Sequence, residues 1–131
     1  MEVGCDIERV DPGFDFEELA TRYFAPQEIA NLQSLPAALR RAGFFWHWTL
    51  KEAYVKCRGI GLSLPLDSFT FSLAPDGAAV LQGTDHFTCA SIEPTPGYQA
   101  ALVAQATSMS LQVETYAATK EERANAGIGA S

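Results

Sequence analysis

Phe44-Phe45-Trp46-His47-Trp48-Thr49-Leu50-Lys51-Glu52-Ala53-Tyr54-Val55-Lys56 places charge on a helix face where core is expected. Glu52 and Lys56 are four residues apart and share one helical face. Phe45 and Trp48 precede Glu52 on that face, about two turns and one turn earlier. A carboxylate and an ammonium beside large aromatics cost free energy unless a partner, a metal or a ligand meets them. Working outward, Ser34-Leu35-Pro36 opens this long helix, which runs through Lys56 or Cys57 with an expected kink or interruption near Gly43. Gly59 and Gly61 are natural terminators behind it.

Upstream, residues 2–8 read as a strand, and Asp11-Pro12-Gly13 as a turn. Phe14, Phe16, Leu19, Ala20, Tyr23 and Phe24 have helical spacing over 14–24. Pro26 begins another helix that reaches about Leu32. Downstream the period changes to two: Phe69, Phe71 and Leu73 alternate with Ser68, Thr70 and Ser72. Pro75-Asp76-Gly77 is a hairpin turn, and strands are expected over 78–82, 87–93 and 98–106, together forming an antiparallel meander. The order strand, helices, strands predicts an α+β fold, a long helix and short helices packed on an antiparallel sheet. One domain is expected over 1–113, followed by a flexible tail over 114–131.

The chain has 131 residues and a net charge of −7. Residues 59–113 contain no Lys or Arg, so cationic chemistry falls to Arg9, Arg22, Arg40, Arg41, Lys51, Lys56 and Arg58. A nucleic-acid backbone needs a broad basic face, which this distribution excludes. No apolar run is long enough to span a bilayer, so no membrane association is expected. The acidic N-terminus does not read as a secretory signal. The odd cysteine count (Cys5, Cys57, Cys89) argues against a disulfide framework and for the cytoplasm, with Cys5 and Cys57 expected as small buried hydrophobes.

Asp6 and Glu8 are two apart on the first strand and point to one side. By themselves they fit the solvent face of an edge strand, and Glu52 with Lys56 fits a surface ion pair worth about 0.2–0.5 kcal/mol. Taken together, Asp6, Glu8 and Glu52 supply hard oxygen ligands for Mg²⁺, and Lys51 or Lys56 a point charge for a phosphate oxygen. His47 fits a satisfied helical histidine, and His86 a solvated turn residue.

Val3-Gly4-Cys5-Asp6-Ile7-Glu8 and Trp48-Thr49-Leu50-Lys51-Glu52-Ala53-Tyr54-Val55-Lys56 resemble the paired motifs of 4′-phosphopantetheinyl transferases of the surfactin-synthetase-activating type. Tyr23–Glu28 and Gly59–Phe69 resemble that type too, and the similarity spans roughly residues 2–106. The resemblance implies Mg-dependent transfer of the phosphopantetheine arm of coenzyme A to a serine of an apo carrier protein. It implies Asp6, Glu8 and Glu52 as metal ligands, Glu52 as base, Lys56 as stabiliser of phosphate charge, and Lys51 flanking the same site. Surfactin-type members are two similar halves in one chain, and this chain resembles only the second. The first half normally supplies contacts to the adenine and 3′-phosphate of coenzyme A. The shorter holo-acyl-carrier-protein synthases, which match this chain in length, associate instead and form each site between subunits. Expected partners are therefore coenzyme A, an apo carrier protein, and a second copy or a complementary half. Arg22, Arg40 and Arg41 are candidates for docking an acidic carrier. The alternative is a non-catalytic or incomplete half-domain that binds coenzyme A or a carrier protein; an unrelated Mg²⁺ phosphohydrolase would need an activated water.

Overall fold

A computed structural model describes residues 2–112 and Glu114. Its first strand, β1 (Val3–Arg9), has an unusual parity: Gly4 and Asp6 point inward, while Val3, Cys5 and Ile7 point out. Gly4 explains the arrangement. A Cβ there would lie 2.0 Å from the Ala53 carbonyl oxygen and 2.3 Å from the Cys57 nitrogen. Only glycine lets the strand lie this close to a helix backbone. The same parity turns Cys5 outward, against the expectation that it is buried, whereas Cys57 is buried.

The helices are α1 (Glu17–Tyr23), α2 (Pro26–Ser34) and α3 (Ala37–Arg58). The first is shorter than its apolar spacing predicts. Arg41 donates to the carbonyl oxygens of Asp11 and Phe14, and the Gly13 N–H donates to Asp11 Oδ1, so 11–14 is held as a loop. Phe14 and Phe16 still reach the core from outside the helix, with ring centroids 6.1 and 5.5 Å from Phe44. Helix α3 is continuous through Gly43 rather than interrupted. Gly43 serves packing instead: a Cβ there would meet Leu35 Cδ1 at 2.8 Å and Leu32 Cδ2 at 3.0 Å. Gly59, at φ 67°, ends α3 with its N–H on the carbonyls of Val55 and Lys56.

After two 3₁₀ turns (Gly61–Ser63 and Leu66–Ser68) come β2 (Phe71–Leu73), β3 (Ala79–Leu81), β4 (Thr88–Ile92) and β5 (Tyr98–Ala104). These strands do not form one meander. The β2–β3 hairpin is a separate two-stranded sheet, and β5 pairs with both β4 and the N-terminal β1, giving the antiparallel order β1-β5-β4. Strand β1 is thus an edge of the larger sheet. The hairpin turns through Gly77 (φ 86°), as expected from Pro75-Asp76-Gly77.

Helix α3 separates two apolar clusters. Leu50, Ala53, Tyr54 and Cys57 pack on Phe71, Leu81, Ala101 and Val103; Phe44 and Phe45 pack on Ala20, Phe24 and Leu32. Burying each large side chain stabilises the fold by about 1.5–3 kcal/mol. The arrangement is the expected α+β class, one long helix across antiparallel strands. The expected flexible tail, 114–131, lies outside the described residues apart from Glu114. No helix among the described residues is long and apolar enough to cross a membrane.

Candidate functional site

Because β1 presents Gly4, Asp6 and Glu8 to α3, its two acidic side chains arrive beside the last turns of that helix. Lys56 Nζ donates to Asp6 Oδ1 at 2.8 Å. The Asp6 side chain is 8% exposed, and that of Lys56 is 52% exposed. Asp6 Oδ2 is buried and has no hydrogen-bond donor. Burial, the Asp6 charge and a side-chain hydrogen bond with Asp6 hold the Glu8 carboxyl above its ordinary range, as does the Glu52 charge, with Lys56 opposing. Burial and the Asp6 charge likewise raise Glu52. The hydrogen bond to Asp6 raises Lys56. Three carboxylates therefore crowd one place with a single ammonium among them.

Two clefts open beside this cluster. Glu8 lines one of about 300 Å³ with Phe14, Leu19, Phe44, Phe45 and Trp48. Glu52 lines another of about 260 Å³ with Arg22, Tyr23, Leu64, Pro65 and Asp67 among its walls. A cavity of about 340 Å³ near Trp46, His47, Phe71 and Gln99 has no carboxylate or ammonium on its walls.

Oxygen donors and an unpartnered, buried Asp6 oxygen fit a hard divalent cation chemically. Among the described residues, though, no three His, Cys, Asp or Glu side chains converge closely enough to hold an ion together. Burial first, then the neighbouring charges, raise Glu8 and Glu52, with a side-chain hydrogen bond to Asp6 adding to Glu8, and Asp6 Oδ1 is taken by Lys56. The donor set suits Mg²⁺; the chelating geometry is not assembled.

Lys51 does not join this cluster. It is fully buried, its ammonium 2.6 Å from Glu28 Oε1 and donating to the Phe69 carbonyl at 2.6 Å. It also lies 4.2 Å from the Phe69 ring centroid. One residue on from Lys51 is a rotation of about 100° around an α-helix, so burying Lys51 on one side turns Glu52 toward another. Glu28 is the residue that sequence reasoning passed over. Its Oε1 also accepts the Ala25 N–H at 3.0 Å, and its Oε2 accepts the Phe71 N–H at 2.9 Å and lies 3.4 Å from His47 Nδ1. Burial would raise Glu28, but His47, Lys51 and the Phe71 N–H outweigh it and hold the carboxyl below its ordinary range. Burial also pushes Lys51 down, against the pull of Glu28. A glutamate at the third position of a helix opened by Pro26 was the available signal, since such a residue reaches back to the N-terminal amides.

The other cations are mostly spoken for. Arg40 donates to the carbonyls of Leu35 and Gln33, and Arg41 to the loop carbonyls before α1. Arg22 is exposed and lies over the Tyr23 ring at 5.3 Å. His86 and Asp85 are 3.8 Å apart in a solvated turn.

Comparison with known proteins gives this geometry its context. The family model of the 4′-phosphopantetheinyl transferase superfamily matches residues 2–106. The 4′-phosphopantetheinyl transferase psf-1 of Bacillus pumilus is 37% identical over 115 residues, covering 86% of this chain and 48% of that protein. Among solved structures, the holo-[acyl-carrier-protein] synthase of Thermotoga maritima superposes with a TM-score of 0.65 at 23% identity, covering 78% of this chain and 61% of that one. The Bacillus anthracis holo-(acyl-carrier-protein) synthase, solved in complex with CoA (3′,5′-ADP), gives 0.63 at 18% identity, with 78% and 92% covered. These two share the fold. The chain spans about half the length of the curated relatives it matches. The match over nearly all the described residues means that the chain belongs to the 4′-phosphopantetheinyl transferase superfamily.

Proposed function

We propose that this chain transfers the 4′-phosphopantetheine arm of coenzyme A to a serine hydroxyl of an apo carrier protein. The observation that carries the reading is the under-neutralised cluster of Asp6, Glu8 and Glu52, with Lys56 its one bonded cation and Asp6 Oδ2 buried without a donor. In the reaction the serine oxygen bonds to the phosphorus bearing the pantetheine arm. The bond from that phosphorus to the bridging oxygen breaks, and adenosine 3′,5′-bisphosphate leaves with the electron pair.

Glu52 takes the serine proton, directly or through one water. A carboxyl raised by burial and by a neighbouring carboxylate is a stronger base than a solvated one. Lys56, half exposed at the edge of the cluster, contacts a phosphate oxygen and stabilises charge as the bond breaks. Asp6, Glu8 and Glu52 would hold Mg²⁺, which would neutralise the pyrophosphate. Lys51 takes no part at the phosphate; its buried pair with Glu28 fixes the rotation of α3 that presents Glu52. Arg22, exposed on the wall of the Glu52 cleft, is the one cation there that could meet an acidic carrier, against Glu52 and Asp67 on the same wall.

The chain spans about half of the longer relatives and its motifs resemble their second half, so the coenzyme A site needs a second surface. A second copy supplies it in this reading. Val3 and Ile7, 47% and 58% exposed, face outward from the edge strand β1 with Cys5 between them, and the register sets Ala100 opposite Ile7 and Leu102 opposite Cys5. An edge strand with apolar side chains outside is a surface that asks for cover. The alternative, an incomplete half awaiting a different partner chain, is favoured by the half-length coverage alone.

The deciding experiment is intact-mass spectrometry of an apo carrier protein incubated with this chain, coenzyme A and Mg²⁺, with Glu52→Gln in parallel. The expected result is a phosphopantetheine mass gain with the unmodified chain, reduced at least about 100-fold in rate by Glu52→Gln. No gain on any of several carriers would favour the incomplete half. Sedimentation equilibrium on the same sample should show an oligomer that Ile7→Lys dissociates.

A further inference from the structure

The Glu52 cleft is walled by two segments that reach it from different parts of the chain. Arg22 and Tyr23, at the end of α1, line it on one hand, and Leu64 to Asp67, between α3 and β2, on the other. Among the described residues, the hydrogen bonds made by 60–68 are local, each spanning three residues. Leu64 packs on the core, but apolar packing is non-directional and sets no exact spacing. The bonds that tie this wall to the helices come just after it, and both go to one buried pair. Lys51 Nζ donates to the Phe69 carbonyl at 2.6 Å, and the Phe71 N–H donates to Glu28 Oε2 at 2.9 Å. The opposite wall is held by the same carboxylate: the Ala25 N–H, two residues past Tyr23, donates to Glu28 Oε1 at 3.0 Å.

We infer that Glu28 and Lys51 are positioning residues for the acceptor: a buried clamp that sets the spacing of the two cleft walls, and with it the path of the carrier serine to Glu52. This rests on Glu52 as the base of the proposed transfer and adds what shapes the cleft around it. Glu28 and Lys51 are both fully buried, 2.6 Å apart, so their bonds to the two walls act in a low dielectric and are directional. Burial pushes the Lys51 ammonium down, and the charges of Glu28 and of Asp67 on the cleft wall oppose it. The clamp thus reaches Ala25 on one side and Phe69 and Phe71 on the other from a single ion pair, one residue from Glu52. A reacting group misplaced by about 1 Å loses about 10²-fold in rate, so wall spacing matters even though neither clamp residue touches substrate.

The test compares the unmodified full chain with Glu28→Leu/Lys51→Met. The double variant removes both buried charges at once and so keeps most of the stability, but it leaves the Ala25 and Phe71 N–H groups and the Phe69 carbonyl unheld. Amide hydrogen exchange read by mass spectrometry should quicken about tenfold over 20–25 and 64–71, while β1 and β5 keep their protection. The KM for the apo carrier should rise about three- to tenfold, with that for coenzyme A unchanged. A double variant that regains stability, wall protection and carrier KM together overturns the clamp and leaves the pair purely structural. Loss of protection spread equally over β1 and β5 overturns it too. Where the double variant does not fold, Glu28→Gln, which keeps one acceptor oxygen, carries the same comparison. If the unmodified chain modifies no carrier, the transfer reading fails, and the exchange pattern still decides whether the clamp holds the walls.

Discussion

Helix α3 carries two acid–base clusters on different faces, and they are built oppositely. Around Glu28 the carboxylate is fully partnered: two backbone N–H groups and Lys51 donate to its oxygens, and Lys51 also reaches the Phe69 carbonyl, while the buried His47 Nδ1 stands 3.4 Å from Oε2 without a hydrogen bond. Around Asp6 three carboxylates share one bonded ammonium, and a buried oxygen has no donor. The first cluster is depressed below the ordinary carboxylate range and the second, at Glu8 and Glu52, is raised above it. Burial alone does not separate the two clusters, since the more deeply buried pair is the neutralised one; the deficit of counter-charge does, and it is the ground on which the Asp6 cluster is proposed as the site.

The largest effect should come from breaking the closed cluster. Glu28→Leu leaves Lys51 charged and fully buried with no anion, at a cost of about 3–5 kcal/mol in urea unfolding. The double variant Glu28→Leu/Lys51→Met should recover most of that loss, because a well-packed apolar pair can replace a buried ion pair. If Glu28→Leu alone is near neutral, the cluster is not the structural clamp described here.

Gly4→Ala tests the opposite side of the helix without touching a charge. Its Cβ would overlap the Ala53 carbonyl and the Cys57 amide, both backbone, so β1 must move off α3. We expect a loss of about 3 kcal/mol, the upper end for overpacking. Transfer activity should fall further than stability explains, because Asp6 and Glu8 ride on the displaced strand. Equal stability and activity in Gly4→Ala would mean that the strand–helix contact does not set the site.

A pH series separates the two clusters without mutation. Folding raises Glu8 and Glu52 above their ordinary 4.5, so the folded chain takes up protons where the unfolded chain is still ionised. Stability should therefore rise as pH falls from neutrality towards 4.5. Glu28 works in the other sense: its stabilisation is present above 4.5 and is lost as pH drops through its lowered folded value. The unfolding free energy should pass through a maximum on the acid side of neutrality. Glu52→Gln should flatten the rise and leave the acid fall in place.

How much of this was readable from the chain differs between the two clusters. Asp6, Glu8, Glu52 and Lys56 are legible because periods of two and of four place them, and the structure brings all four to one end of the β1–α3 contact. Lys51 was misplaced because adjacency in sequence to Glu52 says nothing about direction; its partner is Glu28, 23 residues upstream on another helix. Cys5 was misread because hydrophobicity outvoted parity: the need for glycine against the Ala53 carbonyl fixes which side of β1 faces in, and that side takes Asp6 and leaves Cys5 outside. The meander failed for a related reason. Pairing of β1 with β5 is a contact between the two ends of the domain, and no local pattern encodes it.

The smallest effect should come from the turn that holds His86 and Asp85. Their charged groups are 3.8 Å apart, with side chains 76% and 94% exposed. An ion pair this solvated gains little in high dielectric and loses side-chain freedom to form. Neither residue lines the clefts beside Glu8 and Glu52. Asp85→Asn should shift the thermal midpoint by less than about 2 °C and leave carrier modification unchanged. It matches Asp6→Asn in chemistry, a carboxylate lost beside a basic side chain, and differs from it only in surroundings. If both substitutions had the same small effect, counter-charge deficit would not distinguish the Asp6 cluster from ordinary surface, and the contrast between the two faces of α3 would lose its meaning.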